Sequence, residues 1–337
     1  MIKEVEGPTL KDLFGSYKES NDLADMRFVG SGKGAMAVIF KYLRDKNIIE
    51  NKVMEVMVPD WLGFWVYNQI QAFAFPAKKV SDRTRAIFVY HQYGFPQDMD
   101  TILDFARTKK LIVIEDCAHA LESSYKGKIV GSFGDFSIYS FSKWFFCFAL
   151  GGVRSKFDDF DLYAQKVISE TPFGLTFIKD LAKLKYECVA LSNSHLRKKY
   201  LDLFVRMTYS IYGDAIKPGG RAVYLAKSKM RNEINIRKAR YKYFREKTDR
   251  FSICDHLEQD GIAPYVIPIR ASEQRAQAIV DALREKKIGT GIYNFDINRN
   301  LLSPKFVPCI WIPCHGAISE NIFNSMIETI SEKFHGQ

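Results

Sequence analysis

A chain of 337 residues is longer than one hydrophobic core usually covers, so two lobes are expected. Apolar residues make up 47% and charged residues 26%, which excludes a disordered or fibrous chain, and no run of eighteen apolar residues marks a membrane span. The formal charge of +10 admits a solvated basic helix face, an anionic substrate or nucleic acid, and the absence of any recognisable nucleic-acid module puts the last reading aside.

The opening "MIKEVEGPTLKDLFGSYKES" carries acids early and no basic start followed by an apolar run, so no secretory signal is expected and the protein is placed in the cytoplasm. At 30–43, "GSGKGAMAVIFKYL" reads as small residues opening a helix, whose free N–H groups and positive dipole end suit a phosphate. Its spacing is not that of a P-loop. Short strands are predicted at 55–59, 86–91, 111–116 and 136–141, with helical periodicity at 65–73 and 99–110 between them. Strands separated by helices imply parallel pairing, hence an α/β sheet covered on both faces, with ligands at the carboxyl ends of its strands.

From 157 to 249 the pattern turns mostly helical, broken by a "KPGG" turn at 217–220. Much of the positive charge lies in this part, in "HLRKKY" at 195–200 and in the stretch 227–247, where the simplest reading is the solvated face of long helices. The tail alternates strand, helix, strand and helix in "APYVIPIRA", "EQRAQAIVDALREKKI", "CIWIPC" and "SENIFNSMIETISEKF". A large α/β domain over 1–235 and a small α+β domain over 236–337 are expected. The six cysteines lack CxxC spacing, which argues against zinc and dithiol sites and leaves them as reduced, buried packing residues, with no metal expected.

Two further segments carry chemistry. "LIVIEDCAHA" delivers Asp116 to a strand end, with His119 three residues on; a carboxylate there can pair with a protonated pyridine nitrogen, or simply cap a helix. "SFSK" at 140–143 admits a Ser-Lys acyl hydrolase or a lysine holding an aldehyde cofactor as an imine while Ser140 grips its phosphate. The hydrolase normally travels with S-D-N and K-T-G elements, and neither tripeptide occurs. A lysine amine among Trp144, Phe145 and Phe146 is desolvated and nucleophilic, which favours the imine. Together, the helix opening, the Asp-x-x-His and the Ser-x-x-Lys match the demands of pyridoxal 5'-phosphate.

These residues also resemble the DegT/DnrJ/EryC1/StrS family of pyridoxal-phosphate-dependent sugar aminotransferases. The likeness is strongest between residues 86 and 152, in an "H-x-x-G-x-P-x-D-M-D" turn, the "IED" strand end, a "G-x-x-G-D" segment and the lysine loop before "GG". Weaker likeness extends to "GSGKGA", "YVIPIR" and "WIPCHGAIS". It implies the type I aspartate aminotransferase fold, with Lys143 as the catalytic imine-forming base, Asp116 on the pyridine nitrogen and His119 touching the ring. Ser140 with the backbone amides of Ser31 and Gly32 would hold the phosphate. Trp61, Phe64 and Trp65 are candidates to stack on the cofactor.

The likeness further implies a homodimer and an amino-acid donor, glutamate, acting on a nucleotide-linked keto-sugar. The same cofactor used for dehydration, and a non-catalytic nucleotide-sugar-binding descendant, are the competing readings. Three departures stand out: a Ser-to-Lys spacing of three instead of five, Lys33 where threonine is usual, and no counterpart of "N-Y-R-M", for which Arg221 or Asn235 would have to substitute.

Overall fold

The computed structural model describes residues 2–19, 23, 25–192, 200–201, 203–204, 206, 211–248 and 253–335. Most of the "HLRKKY" segment lies outside the described residues. In the first part the elements are α1 (Leu10–Phe14), β1 (Arg27–Val29), α2 (Gly32–Asp45), β2 (Glu55–Met57), α3 (Phe64–Gln71), β3 (Phe75–Ala77), β4 (Thr84–Tyr90), α4 (Met99–Lys109) and β5 (Ile112–Asp116). A small hairpin, β6 (Ser124–Tyr125) and β7 (Lys128–Ile129), precedes β8 (Phe136–Ser140) and β9 (Gly151–Ser155). Helices α5 (Phe160–Ser169), α6 (Leu175–Ser192) and α7 (Gly220–Lys247) lead to β10 (Val266–Ile269), α8 (Glu273–Glu285), β11 (Gly291–Asp296), β12 (Phe306–Pro313) and α9 (Glu320–His335).

Seven strands form the central sheet in the order β1-β9-β8-β5-β4-β2-β3. Neighbours from β8 to β3 pair in parallel, and β9 runs antiparallel to both β8 and β1. The apolar runs of β4 and β5 exist because helices cover both faces: Phe88 and Ile114 pack with α2, while Ile87, Val89 and Val113 pack with α4. Burying one such side chain is worth about 2 kcal/mol, so the alternation of strand and amphipathic helix fixes these layers. The four strands and three helices predicted in this half are present within two residues at their termini. Strands β1, β3, β9 and β11 and the hairpin went unforeseen, being short or rich in glycine and polar residues.

The last part builds a separate three-stranded antiparallel sheet, β10-β12-β11, packed by α8 and α9. Helix α7 runs unbroken through residue 235. It is not merely a solvated basic face, because Arg237 and Glu233 are buried with Met230, Ile234, Tyr241 and Phe244. Among the described residues no helix is long and apolar enough to cross a membrane. All six cysteines are free, but Cys188 is exposed, against the expectation that every one packs inside. It lies on the same side of α6 as exposed Leu181 and Lys185, where helical spacing turns a residue outward.

Candidate active site

Five segments place their ends along one edge of the central sheet. Strand β4 stops at Tyr90 and β5 at Asp116, partners in parallel register. Strand β8 stops at Ser140, opposite Gly151, and β1 stops just before Ser31 and Gly32 open α2. Carboxyl ends of parallel strands are where such sheets hold ligands, since helix N-termini and loops converge there.

Beyond Ser140 the chain makes a single 3-10 turn, Phe141–Lys143. Ser140 is the extended residue that precedes this turn and Lys143 is its last residue, so one tight turn is all that separates the two. Buried Phe141, Trp144, Phe145 and Phe146 anchor the turn in the core, and Trp144 Nε1 donates to Ala118 O at 3.0 Å. Lys143 Nζ is left 3.0 Å from His119 Nε2. Burial lowers the lysine's pKa, with the charge of Asp116 pulling the other way.

Asp116 is buried, which raises its pKa, while Lys143 is the largest influence opposing that rise. Among the described residues its carboxylate accepts one hydrogen bond, at Oδ1 from Ala118 N at 2.9 Å. The chain after it forms a turn, not a helix, so the capping alternative for Asp116 does not apply. His119 is held neutral by burial, with Lys143 and Arg237 adding to the downward shift. Its Nδ1 meets the Tyr90 hydroxyl at 2.6 Å, and its ring stacks on Tyr265 at 4.2 Å and 9°. Arg237 ties this region to the small sheet: it donates to Trp144 O at 2.9 Å and to Tyr265 O.

The opposite corner is built by α2. Ser31 caps the helix, accepting from Gly34 N at 2.8 Å and donating to Tyr212 O at 2.5 Å, so its hydroxyl is engaged while its backbone opens the first turn. A Cβ at Gly32 would lie 3.0 Å from Ser140 Cβ and 3.2 Å from its Oγ, which places that hydroxyl against the helix start. A Cβ at Gly151 would come within 2.2 Å of Ser31 O and one at Gly152 within 2.2 Å of Met26 Sδ, which is why a glycine pair follows the lysine loop. Lys33 lies with its ammonium 5.0 Å from the Trp65 ring, and burial brings its pKa down to about 8. Arg221 is engaged elsewhere, donating to Asp12 O, Lys11 O and Gly15 O, and Asn235 is an exposed residue of α7.

Trp61 is 48% exposed, tilted against Phe306 at 6.5 Å, and shares a cleft with Tyr90, Gln92 and Arg299. No ring contact joins it to His119 or Lys143 among the described residues. Phe64 and Trp65 pack edge to face on each other at 5.5 Å.

The sequence reading missed Tyr90 and Tyr265. Tyr90 was legible as the residue before the end of a predicted strand, 86–91, whereas nothing local announces Tyr265. It also missed a buried group, His91, Glu115 and Cys117, whose donor atoms lie within 4.8 Å of one another. Gln97 N donates to His91 Nδ1, which leaves the proton on Nε2, facing Glu115 at 3.1 Å. Glu115 accepts also from the amides of Gly131, Phe133 and Gly134, so the group is a hydrogen-bonded anchor for the 131–134 loop.

The sheet order, the antiparallel β9 and the lysine turn define the type I transferase fold. Residues 74–159 match the model of the DegT/DnrJ/EryC1/StrS aminotransferase family, a segment that contains the motifs at 86–152, and over it the resemblance to that family is established. GDP-perosamine synthase of Escherichia coli O157:H7 is 52% identical over 64 residues, covering 19% of this chain and 18% of that one, so the chain aligns with less than a fifth of this curated relative. The aminotransferase TlmJ from Streptoalloteichus hindustanus superposes with a TM-score of 0.66 at 14% identity, covering 93% of this chain and 86% of its own. Spr1654 from Streptococcus pneumoniae, in its PMP form, gives 0.64 at 16% identity over 91% and 87%.

Proposed function

We propose that the protein is a pyridoxal-phosphate-dependent aminotransferase that takes an amino group from an amino acid, glutamate, and delivers it to a nucleotide-linked keto-sugar. The observation that carries this reading is the placement of Lys143 Nζ beside His119, in the field of Asp116, with Ser140 against the first turn of α2. The residues fit the cofactor: Gly32 leaves the space that a Cβ would fill, the dipole end of α2 suits a phosphate, and Asp116 is a buried acid at a strand end. Bound there, the cofactor supplies an aldehyde carbon that an amine can join and a ring that accepts electrons.

The protein's own residues supply the rest. Asp116 would hold a proton at the ring nitrogen, because a carboxylate withdrawn from water favours a cation at contact distance. His119, held neutral by burial, would lie beside the ring. Lys143 Nζ, as a free amine, takes the donor's α-proton and returns it one atom away, and its lowered pKa keeps that amine available. Ser140 Oγ and the amides of Ser31 and Gly32 fix the phosphate end.

The sugar part of the reading is supported by the named activity of the GDP-perosamine synthase, and the basic balance suits a diphosphate. It places the enzyme in the cytoplasm, in nucleotide-sugar and polysaccharide biosynthesis. It also carries a homodimer: Trp61, Phe64 and Trp65 are exposed beside the site and offer apolar surface for a second copy.

Purified protein with added pyridoxal phosphate should show a visible band that shifts on adding glutamate and is lost in Lys143→Ala. A panel of nucleotide-linked keto-sugars should then restore the band. An unaltered band in Lys143→Ala, or no shift with any amino acid, overturns the reading.

A further inference from the structure

Tyr90 is not among the residues that the resemblance equips with a role, yet it is the residue through which His119 is held. It ends β4 beside Asp116, and because register partners on parallel strands point to the same face, its side chain rises next to the carboxylate at the sheet edge. From there its hydroxyl reaches His119 Nδ1 at 2.6 Å, while His119 Nε2 stands 3.0 Å from Lys143 Nζ. Tyr265 on one face at 4.2 Å and Tyr93 stacked at 5.9 Å and 18° leave the imidazole little freedom to turn.

We propose that Tyr90 is a positioning residue that fixes His119 as its Nε2–H tautomer, so that His119 presents a donor to Lys143 and only the neutral amine can accept it.

The direction of each hydrogen bond follows from donor counting. The Tyr90 hydroxyl has one proton and, among the described residues, one side-chain partner, His119 Nδ1. Burial raises its pKa well above that of free tyrosine, so it remains a phenol and donates. The neutral imidazole then carries its own proton on Nε2. An N–H aimed at an ammonium is repulsive, and aimed at the amine lone pair it is a hydrogen bond. The tautomer therefore disfavours protonated Lys143, adding to the effect of burial.

The groups facing this chain are few and their signs are known. Asp116 and, less, Glu4 favour the lysine cation; Arg237 acts on His119; Arg299, Asp116, Tyr93 and Tyr265 act on Tyr90. None of these is removed by Tyr90→Phe, which takes away one oxygen and leaves the ring. The catalytic meaning of the device rests on the proposed function above, but the device itself can be tested without cofactor.

In cofactor-free protein, long-range proton–nitrogen NMR of labelled histidine, with His119→Gln to assign the signal, should show His119 as the Nε2–H tautomer. Tyr90→Phe should move it toward Nδ1–H. Competitive acetylation across pH, read on the Lys143 peptide by mass spectrometry, should place the lysine midpoint about one unit higher in Tyr90→Phe, roughly a tenfold loss of free amine near neutral pH. In the His119→Gln background, adding Tyr90→Phe should move that midpoint no further. An Nδ1–H tautomer in the unaltered protein, an unmoved midpoint in Tyr90→Phe, or an equal shift in both backgrounds each overturns the proposal. These readouts stand even if pyridoxal phosphate does not bind, in which case the functional reading fails and the tautomer assignment does not.

Discussion

The loop after β8 and helix α6 each carry a lysine drawn out of water, and they treat it in opposite ways. On α6, Lys179 is fully buried, yet its Nζ donates to Gly30 O at 3.0 Å, Ala149 O at 2.6 Å and Asp180 Oδ1 at 2.6 Å. In the loop, Lys143 has no carbonyl and no contacting carboxylate among the described residues; its neighbour is the His119 ring. Burial lowers both pKa values, but at Lys179 the adjoining Asp180 opposes it through charge and a hydrogen bond, whereas at Lys143 the opposing acid acts only at a distance. An ammonium with three acceptors is a strut between helix α6, the turn before α2 and the end of the lysine loop. An amine denied acceptors is a nucleophile.

The sharpest break of this contrast is deletion of each amine in turn. Lys143→Ala should abolish the visible cofactor band and cut turnover by about 10³-fold or more, as loss of a general base and attachment point does, with the urea midpoint little changed. Lys179→Met should do the reverse. It leaves Asp180 without its cation and two buried carbonyls without donors, so about 3 kcal/mol of stability should be lost in urea unfolding, while the band persists at saturating cofactor. If Lys179→Met removes the band and leaves stability intact, the two roles have been assigned the wrong way round.

A smaller effect separates the loop from the helix at the corner proposed to hold the cofactor's phosphate. Ser140→Ala removes one hydroxyl from beside Gly32, and a hydrogen bond to a charged group is worth about 1.5 to 3 kcal/mol, so cofactor affinity should fall at least tenfold in titration of the visible band. Ser31→Ala should act differently, since the Ser31 hydroxyl caps α2 and contacts Tyr212 O: the expected loss is about 1 kcal/mol of stability. Equal effects of the two substitutions on affinity would show that Ser140 has no special place at the phosphate.

What the sequence made legible follows the same division. The residues of the loop site announce themselves because they sit at strand ends, where an apolar run stops at Asp116 or Ser140 and a polar group must serve a purpose. Periodicity also marked the helices that cover those strands. Lys179 went unnoticed because on a helix rich in lysine its spacing looks like solvated surface; only the fold shows that the residue turns toward Gly30. Arg237, in the basic stretch of α7, was lost in the same way. Tyr265 depends on the small sheet bringing a distant strand against His119, through Tyr265 N to Tyr93 O at 2.8 Å, a contact that no local pattern encodes. Strand β9 was hidden by its glycine pair, whose reasons are the approach of the Ser31 backbone to Gly151 and of the Met26 side chain to Gly152.

The last and smallest expected effect is on the pH dependence of stability, where the two lysines should agree in sign. Each has a folded pKa below its ordinary 10.5, so between the folded value and 10.5 the unfolded chain binds more protons than the native one. Stability then rises with pH across that window, at no more than about 1.4 kcal/mol per unit for one group, and the cost of burying the amine is fully present below the folded pKa. Lys143→Met deletes that term, so the unaltered protein should gain on the mutant as pH climbs from 7 toward 10. Of the neighbours, His119 is lowered from 6.5, which puts its stability term on the acid side, while Asp116 is raised from 3.8 and its term, above 3.8, has the opposite sign to that of Lys143. A flat difference between the two proteins from pH 7 to 10 would mean that Lys143 enters the fold as an ordinary ammonium. The loop would then be a second strut, and the contrast with α6 would disappear.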